Sequence, residues 1–154
     1  MQYDWPDTVP VCYTQNMKSS FYHVQLNIDF SNLTFYKELF SFLGWSIIFE
    51  VNDVIGYNSK KDGDLWFVKN TSGKRQDYDA IGVNHLSIRV EFQQDIDAIA
   101  TYLRKKHIQH LFETPRHRPE FSSEGNTYYQ VMFTSPDNIL FEIVYIGPKE
   151  FVSK

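Results

Sequence analysis

His23-Val24-Gln25-Leu26-Asn27-Ile28-Asp29-Phe30 and His85-Leu86-Ser87-Ile88-Arg89-Val90-Glu91-Phe92 are one pattern written twice, 62 residues apart. Over eight consecutive positions His lies over His, aliphatic over aliphatic, polar over polar, acid over acid and Phe over Phe. Each copy alternates apolar and polar residues, which marks a strand with two unlike faces. Val24, Leu26 and Ile28 share one face; His23, Gln25 and Asn27 share the other. In the second copy Leu86, Ile88 and Val90 oppose His85, Ser87 and Arg89. A repeat of this kind argues for two copies of one folding unit.

The downstream segments repeat as well. After the strand Phe21 to Asp29, Ser31 is placed to cap a helix. Leu33, Tyr36, Leu39, Phe40 and Leu43 form its buried stripe, and Gly44 ends it. Strands are expected at Trp45 to Val51, Val54 to Asn58 and Asp64 to Lys69. The second unit opens with a strand over Val83 to Glu91. A helix beginning near Asp95 comes next, with Ile96, Ile99, Ala100 and Leu103 as its stripe. Ile108 to Glu113 is expected as a strand and Thr114 to Gly125 as a polar loop. Strands over Thr127 to Thr134 and Ile139 to Ile146 close the unit, joined by the turn Ser135-Pro136-Asp137-Asn138. The expected fold is α+β: two tandem βαβββ modules forming a curved mixed sheet around a cleft. The single domain spans 21–147, with module one near 21–70, a linker at 71–82 and module two at 83–147. Residues 1–20, with Pro6 and Pro10, read as an N-terminal extension in which Met17 is an alternative start. Residues 148–154 read as a tail.

Composition sets the outer bounds. The chain has 154 residues, 42% hydrophobic and 22% charged; at that length folding hides roughly 70% of the unfolded surface. Many of the 13 Phe, 10 Tyr and 3 Trp are expected in the core, and so many also suit a cleft for a flat or apolar ligand. The net charge of −4 and the lack of a basic run argue against nucleic acid as a partner. The single cysteine, Cys12, rules out an intrachain disulfide and fits a reducing compartment. No apolar run approaches the ~20 residues that span a bilayer, and the first residues do not read as a secretory leader. The expected location is the cytoplasm.

Glu142 gives the polar faces a purpose. It sits in Ile139-Leu140-Phe141-Glu142-Ile143-Val144-Tyr145-Ile146, a strand otherwise apolar on both faces. A carboxylate buried there costs several kcal/mol unless paired. A metal ion, Arg89 or a proton each meets that need. Two histidines and one carboxylate form a set that suits Fe, Mn, Co, Ni or Zn and leaves coordination positions open. The plain alternative is a pair of solvent-facing strand histidines and a buried Glu142–Arg89 ion pair.

Three motifs bring a family resemblance: the His23 to Ile28 strand with its Phe35-Tyr36 helix, Asn84-His85-Leu86-Ser87-Ile88-Arg89-Val90, and Phe133-Thr134-Ser135-Pro136-Asp137-Asn138-Ile139-Leu140-Phe141-Glu142. Together they resemble the vicinal oxygen chelate superfamily, which includes glyoxalase I, bleomycin and fosfomycin resistance proteins and extradiol dioxygenases. The resemblance covers residues 21–147. It implies paired βαβββ units around a U-shaped cleft, with one divalent metal ion held by His23, His85 and Glu142. It further implies a small-molecule substrate bound through two neighbouring oxygens, in a lyase, isomerase or oxygenase reaction. A drug-binding protein of the bleomycin-resistance type, without turnover, is the alternative. Homodimers are common in the family.

Departures narrow the activity. The segment Leu65-Trp66-Phe67-Val68 offers no fourth acidic ligand of the glyoxalase I kind. Met132 stands where extradiol dioxygenases carry a tyrosine, and their additional acid/base histidine has no counterpart. The Pro115-to-Tyr129 stretch resembles a glyoxalase-like subgroup, and no catalytic base is identified. Gln25, Asn27, Trp66, Ser87, Arg89, Tyr128, Gln130 and Met132 are the expected substrate-binding residues. For Trp66 and Tyr128, core packing is an equal alternative. On the Thr127–Thr134 strand, Tyr129, Val131 and Phe133 are assigned to the helix-packed face and Tyr128, Gln130 and Met132 to the cleft. His107 and His110 read as ordinary surface residues, and the loop carrying Arg116, His117, Arg118 and Glu120 as a solvated loop, with closure over a ligand as the alternative.

Overall fold

A computed structural model describes residues 18–61 and 63–150. The expected extension up to residue 17, with Cys12 and Met17, and the tail from residue 151 lie outside the described residues. Module one comprises β1 (His23–Ile28), α1 (Leu33–Phe42), β2 (Ser46–Val51), β3 (Val54–Asn58) and β4 (Asp64–Lys69). Module two comprises β5 (His85–Arg89), α2 (Gln93–Lys105), β6 (His110–His117), β7 (Asn126–Thr134) and β8 (Leu140–Pro148). Each module forms a four-stranded mixed sheet of identical topology, β1-β4-β3-β2 and β5-β8-β7-β6. The leading strand of each pairs in parallel with the last strand of its own module, which requires the helix as a crossover. The paired βαβββ architecture expected from the repeat is therefore present.

The helices sit where the aliphatic faces demand. Tyr36, Leu39 and Phe40 of α1 are fully buried against their sheet, with Tyr36 4.5 Å from the Phe67 ring. Phe40 touches the rings of Trp45, Tyr57 and Phe67 and reaches Phe141 of module two at 6.3 Å. Phe42 stacks on Tyr102 of α2 at 4.2 Å, and Lys106 Nζ lies 2.7 Å from Glu38. One continuous core thus joins both modules. The faces of the leading strands that carry His23 and His85 are left outside it.

A second tie fastens the modules at the β7–β8 turn. Asp137 Oδ1 accepts from the Asp29 backbone N–H at 2.8 Å and from Asn32 Nδ2 at 3.1 Å. The buried Tyr36 hydroxyl donates to Asp137 Oδ2 at 2.6 Å and lies 3.0 Å from Ser135 Oγ. Asn138 adopts a left-handed backbone (φ 63°), which an asparagine tolerates in a tight turn.

Local details differ from expectation. Asp29, not Ser31, caps the first helical segment: its carboxylate accepts the Ser31 N–H and starts a 3-10 turn that runs into α1. The second helix starts at Gln93, two residues early, because Asp95 accepts the Phe92 N–H from inside its first turn. The expected loop after Glu113 is partly strand. β6 continues to His117 past a bulge in which Phe112 and Glu113 are left-handed. Pro115 cannot donate to the ladder, and beside it the Thr114 hydroxyl accepts the Met132 N–H at 2.9 Å in place of a ladder carbonyl.

Candidate functional site in module two

The hydrogen-bond register fixes which side chains share a surface, because registered neighbours point the same way. On module two, Ser87 is level with Glu142, and Glu142 with Met132. Gln130 and Tyr128 follow on the same face of β7. Tyr129 instead reaches α2, where its hydroxyl donates to Asp97 at 2.7 Å, and Phe133 stacks on Phe141 within the core. The facing assigned to β7 from its alternation is the one observed.

Tyr128, Gln130, Met132 and Glu142 line a cleft of about 540 Å³, whereas Ser87, expected there from the sequence, lines a different cavity. Asn84, His85 and Glu142 form its polar floor, Leu140 and Met132 its apolar floor. Phe112, Phe121, Tyr128 and Arg118 form the wall and rim. Arg118 lies over the Phe121 ring at 4.7 Å and pairs with Glu120 at 2.6 Å. Of the Arg116–Glu120 segment, Arg118 thus reaches the rim of the cleft.

Glu142 is 4% exposed, and its two oxygens have different surroundings. Oε1 accepts the Tyr128 hydroxyl at 2.8 Å. It also accepts the Gln130 amide, oriented with its NH2 toward the carboxylate and its oxygen toward Arg118 Nη1 at 2.9 Å. Oε2 faces His85 Nε2 at 3.4 Å. Burial, then the Glu142 carboxylate, pushes the Tyr128 phenol up to about 12. It therefore stays protonated at neutral pH and acts as a donor.

The state of His85 follows from its neighbour. Asn84 Nδ2 donates to the Tyr78 carbonyl at 2.7 Å, which leaves Asn84 Oδ1 to face His85 Nδ1 at 2.8 Å. An amide oxygen only accepts, so Nδ1 carries the proton. In the neutral ring Nε2 is then a lone pair directed at a carboxylate oxygen. Two acceptors face one another across 3.4 Å, and only a shared cation, proton or metal, reconciles them. Nitrogen and oxygen bonds to divalent ions of the zinc class run about 2.0–2.2 Å, so a single ion spans that gap. The donor chemistry fits a divalent metal.

Other expected residues are placed differently. Among the described residues no ion pair joins Glu142 to Arg89; Arg89 lies at the far end of the same face and donates to the Ile146 carbonyl at 2.8 Å. The Glu142–Arg89 ion pair is therefore replaced by the bonds to Tyr128, Gln130 and His85. His23 heads the exposed face of module one, with Gln25 and Asn27 beside it and Tyr22 packed edge-on at 5.3 Å. Trp66 lies on that same face, over Gly56 and 5.7 Å from Phe49. Among the described residues of one chain, no three His, Cys, Asp or Glu side chains converge on a metal position. The expected trio is thus split: His85 and Glu142 meet, and His23 stands apart on the other sheet. Asn84, Phe112, Arg118 and Phe121 are cleft residues outside the substrate-binding set expected from the sequence. Of these, Asn84 was readable, since an amide beside the repeat histidine is a natural tautomer lock.

No protein-family model and no curated protein matches this chain. Solved structures do. A protein from Bacillus halodurans, named only provisionally as a glyoxalase, aligns with TM-score 0.67 and 22% identity, over 80% of this chain and 93% of its own. A glyoxalase/dioxygenase from Nostoc punctiforme aligns with TM-score 0.64 and 17% identity, over 87% of this chain and 100% of its own. The genomically encoded fosfomycin resistance protein of Listeria monocytogenes, complexed with Mn(II) and sulfate, aligns with TM-score 0.61 and 18% identity, over 84% and 91%. The chain has the glyoxalase/bleomycin resistance/dioxygenase fold, as its repeat and motifs led us to expect. None of the described helices is long and apolar enough to cross a membrane.

Proposed function

We propose that this chain is a divalent-metal-dependent enzyme that holds a small substrate through two neighbouring oxygens, with His85, Glu142 and His23 as the metal ligands. The observation that carries this reading is the pair of acceptors, His85 Nε2 and the buried Glu142 Oε2, held 3.4 Å apart. The Mn(II) bound by the fosfomycin resistance protein supports an ion in this fold. Bound there, the ion supplies Lewis-acid chemistry, stabilising negative charge on the chelated substrate oxygens. The chain's own groups do the rest. Tyr128 offers a proton-bearing hydroxyl beside the site, Phe112, Phe121 and Met132 shield it from water, and Arg118 sets a positive charge at its rim.

His23 reaches such a site from a second copy of the chain. It heads β1 as His85 heads β5, on the matching face of the matching module. That face also carries Phe49 and Val51, 45% and 52% exposed, which a partner module would cover. The proposed homodimer would then contain two sites, each built from module one of one chain and module two of the other.

Elemental analysis after reconstitution tests both parts. One ion per chain is expected, lost in His85→Ala, Glu142→Ala and His23→Ala. No ion bound after exposure to Fe, Mn, Co, Ni and Zn rejects the metal reading. Unfolding and refolding His23→Ala and Glu142→Ala chains together should restore roughly one ion per four chains, the yield of random pairing into two-fold dimers. No recovery rejects the shared site.

A second reading rests on the aromatic rim. Phe112 and Phe121 are 52% and 59% exposed at the mouth of the cleft, and apolar walls of this kind serve a small-molecule-binding protein of the bleomycin-resistance type equally well. There a protonated His85 pairs with Glu142 and no metal enters. Stoichiometric ligand binding without turnover by the metal-free chain distinguishes this case.

A further inference from the structure

We infer that Tyr128 and Gln130 are positioning residues that reserve one oxygen of Glu142 and present the other, so that the carboxylate meets a metal ion through Oε2 alone. The inference rests on the metal reading above and concerns residues outside the ligand set. A carboxylate in an open site is free to rotate and to bind an ion through one oxygen or both. Here that freedom is removed. Oε1 is engaged by the Tyr128 hydroxyl at 2.8 Å and by the Gln130 amide, and Oε2 is left toward His85 Nε2.

The two positioning groups are themselves fixed. Gln130 is 1% exposed, and its amide is held the right way round because its oxygen accepts from Arg118 Nη1 at 2.9 Å. Arg118 is anchored in turn: its backbone N–H donates to the Tyr128 carbonyl at 2.7 Å, and its carbonyl accepts from Ser122 Oγ at 2.8 Å. The same Ser122 Oγ accepts the Tyr128 N–H at 3.0 Å. The rim segment and strand β7 thus close a loop of hydrogen bonds that ends on one carboxylate oxygen. His85 has the matching arrangement, with Asn84 holding Nδ1 and leaving Nε2 free. Both ligands of module two are oriented from behind, the usual role of groups just outside a metal's ligands.

The test is Tyr128→Phe in the full-length chain, titrated with Mn(II) and Co(II) by calorimetry and visible absorption. Loss of an outer hydrogen bond of this kind typically weakens metal binding about 10–100-fold. We expect that loss, together with an altered Co(II) d–d spectrum as the released Oε1 becomes available to the ion. A role confined to folding would leave the spectrum of the bound ion unchanged. Gln130→Met, which keeps the length and removes the donor, should shift both readouts the same way and serves if Tyr128→Phe fails to fold. Wild-type affinity or tighter, with an unchanged Co(II) spectrum, in variants that retain the wild-type circular dichroism overturns the inference. If the wild-type chain itself binds neither ion, the metal reading has failed and the positioning role falls with it.

Discussion

Tyr36→Phe is the most direct probe of how the modules are locked together. The substitution removes one oxygen from a fully buried ring and leaves the surrounding apolar packing in place. Two contacts are lost: the 2.6 Å bond to Asp137 Oδ2 and the 3.0 Å bond with Ser135. The Tyr36 proton goes to the carboxylate, so the Ser135 hydroxyl is the donor to the Tyr36 oxygen and is stranded when that oxygen is removed. A hydrogen bond to a charged acceptor contributes about 1.5–3 kcal/mol, and a buried donor left unpaired costs about 1 kcal/mol or more. Together these give about 3 kcal/mol. For a chain of this size each kcal/mol moves the melting midpoint by about 2–4 °C, so a fall of roughly 6–12 °C is expected by calorimetry. Ser135→Ala removes the stranded donor but also the acceptor of the Ile139 N–H at 3.1 Å, so its effect should couple to that of Tyr36→Phe rather than add to it; neighbours that share a network couple by about 0.5–3 kcal/mol. A fall under about 2 °C, or strictly additive losses in the double variant, would show that this network does not hold the modules as described.

The same tyrosine makes stability sensitive to alkali. Burial, and then the Asp137 carboxylate, holds its phenol above the ordinary value of 10. Its contribution is therefore complete below pH 10 and declines above it, as the unfolded phenol ionises first. Urea unfolding between about pH 10 and 12 should lose up to about 1.4 kcal/mol per pH unit from this residue, and an equal slope in Tyr36→Phe would refute the assignment. A Cβ at Gly56 would lie 2.9 Å from the Trp66 ring. Gly56→Ala should cost about 1–3 kcal/mol and shift the tryptophan emission, and unchanged fluorescence would contradict the packing. Metal at about 100 times its dissociation constant should stabilise the wild-type chain by about 2.7 kcal/mol, a midpoint rise of roughly 5–11 °C. The rise should vanish in His85→Ala; an equal rise there would exclude His85 as a ligand.

Much of the architecture was legible in the residues. The repeat of His23 to Phe30 over His85 to Phe92 exposes the tandem modules because matching strands need matching faces. Glu142 announces itself as a carboxylate in an apolar strand, and the alternation of Tyr128 to Phe133 separates cleft from core. The rest depended on tertiary choices. Arg89 and Glu142 are compatible in charge, but only the β5–β8 register shows that Arg89 sits one row away, bonded to Ile146. The persistence of β6 beyond Pro115 is accompanied by the Thr114 hydroxyl taking the Met132 N–H in place of a backbone carbonyl, which no propensity encodes. The separation of His23 from its expected partners comes from how the modules pack through Phe40 with Phe141 and Phe42 with Tyr102, a relation between modules that a pattern within each cannot express.

The contacts between the halves also bear on the covalent join between the modules. Residues 70–84 contribute no strand to either sheet, and Ile81 stands fully exposed within them. Phe40 with Phe141, Phe42 with Tyr102, and Tyr36 with Asp137 hold the halves together without reference to that connection. A single proteolytic nick beside Ile81 should thus leave a noncovalent pair of fragments that elutes as the intact chain.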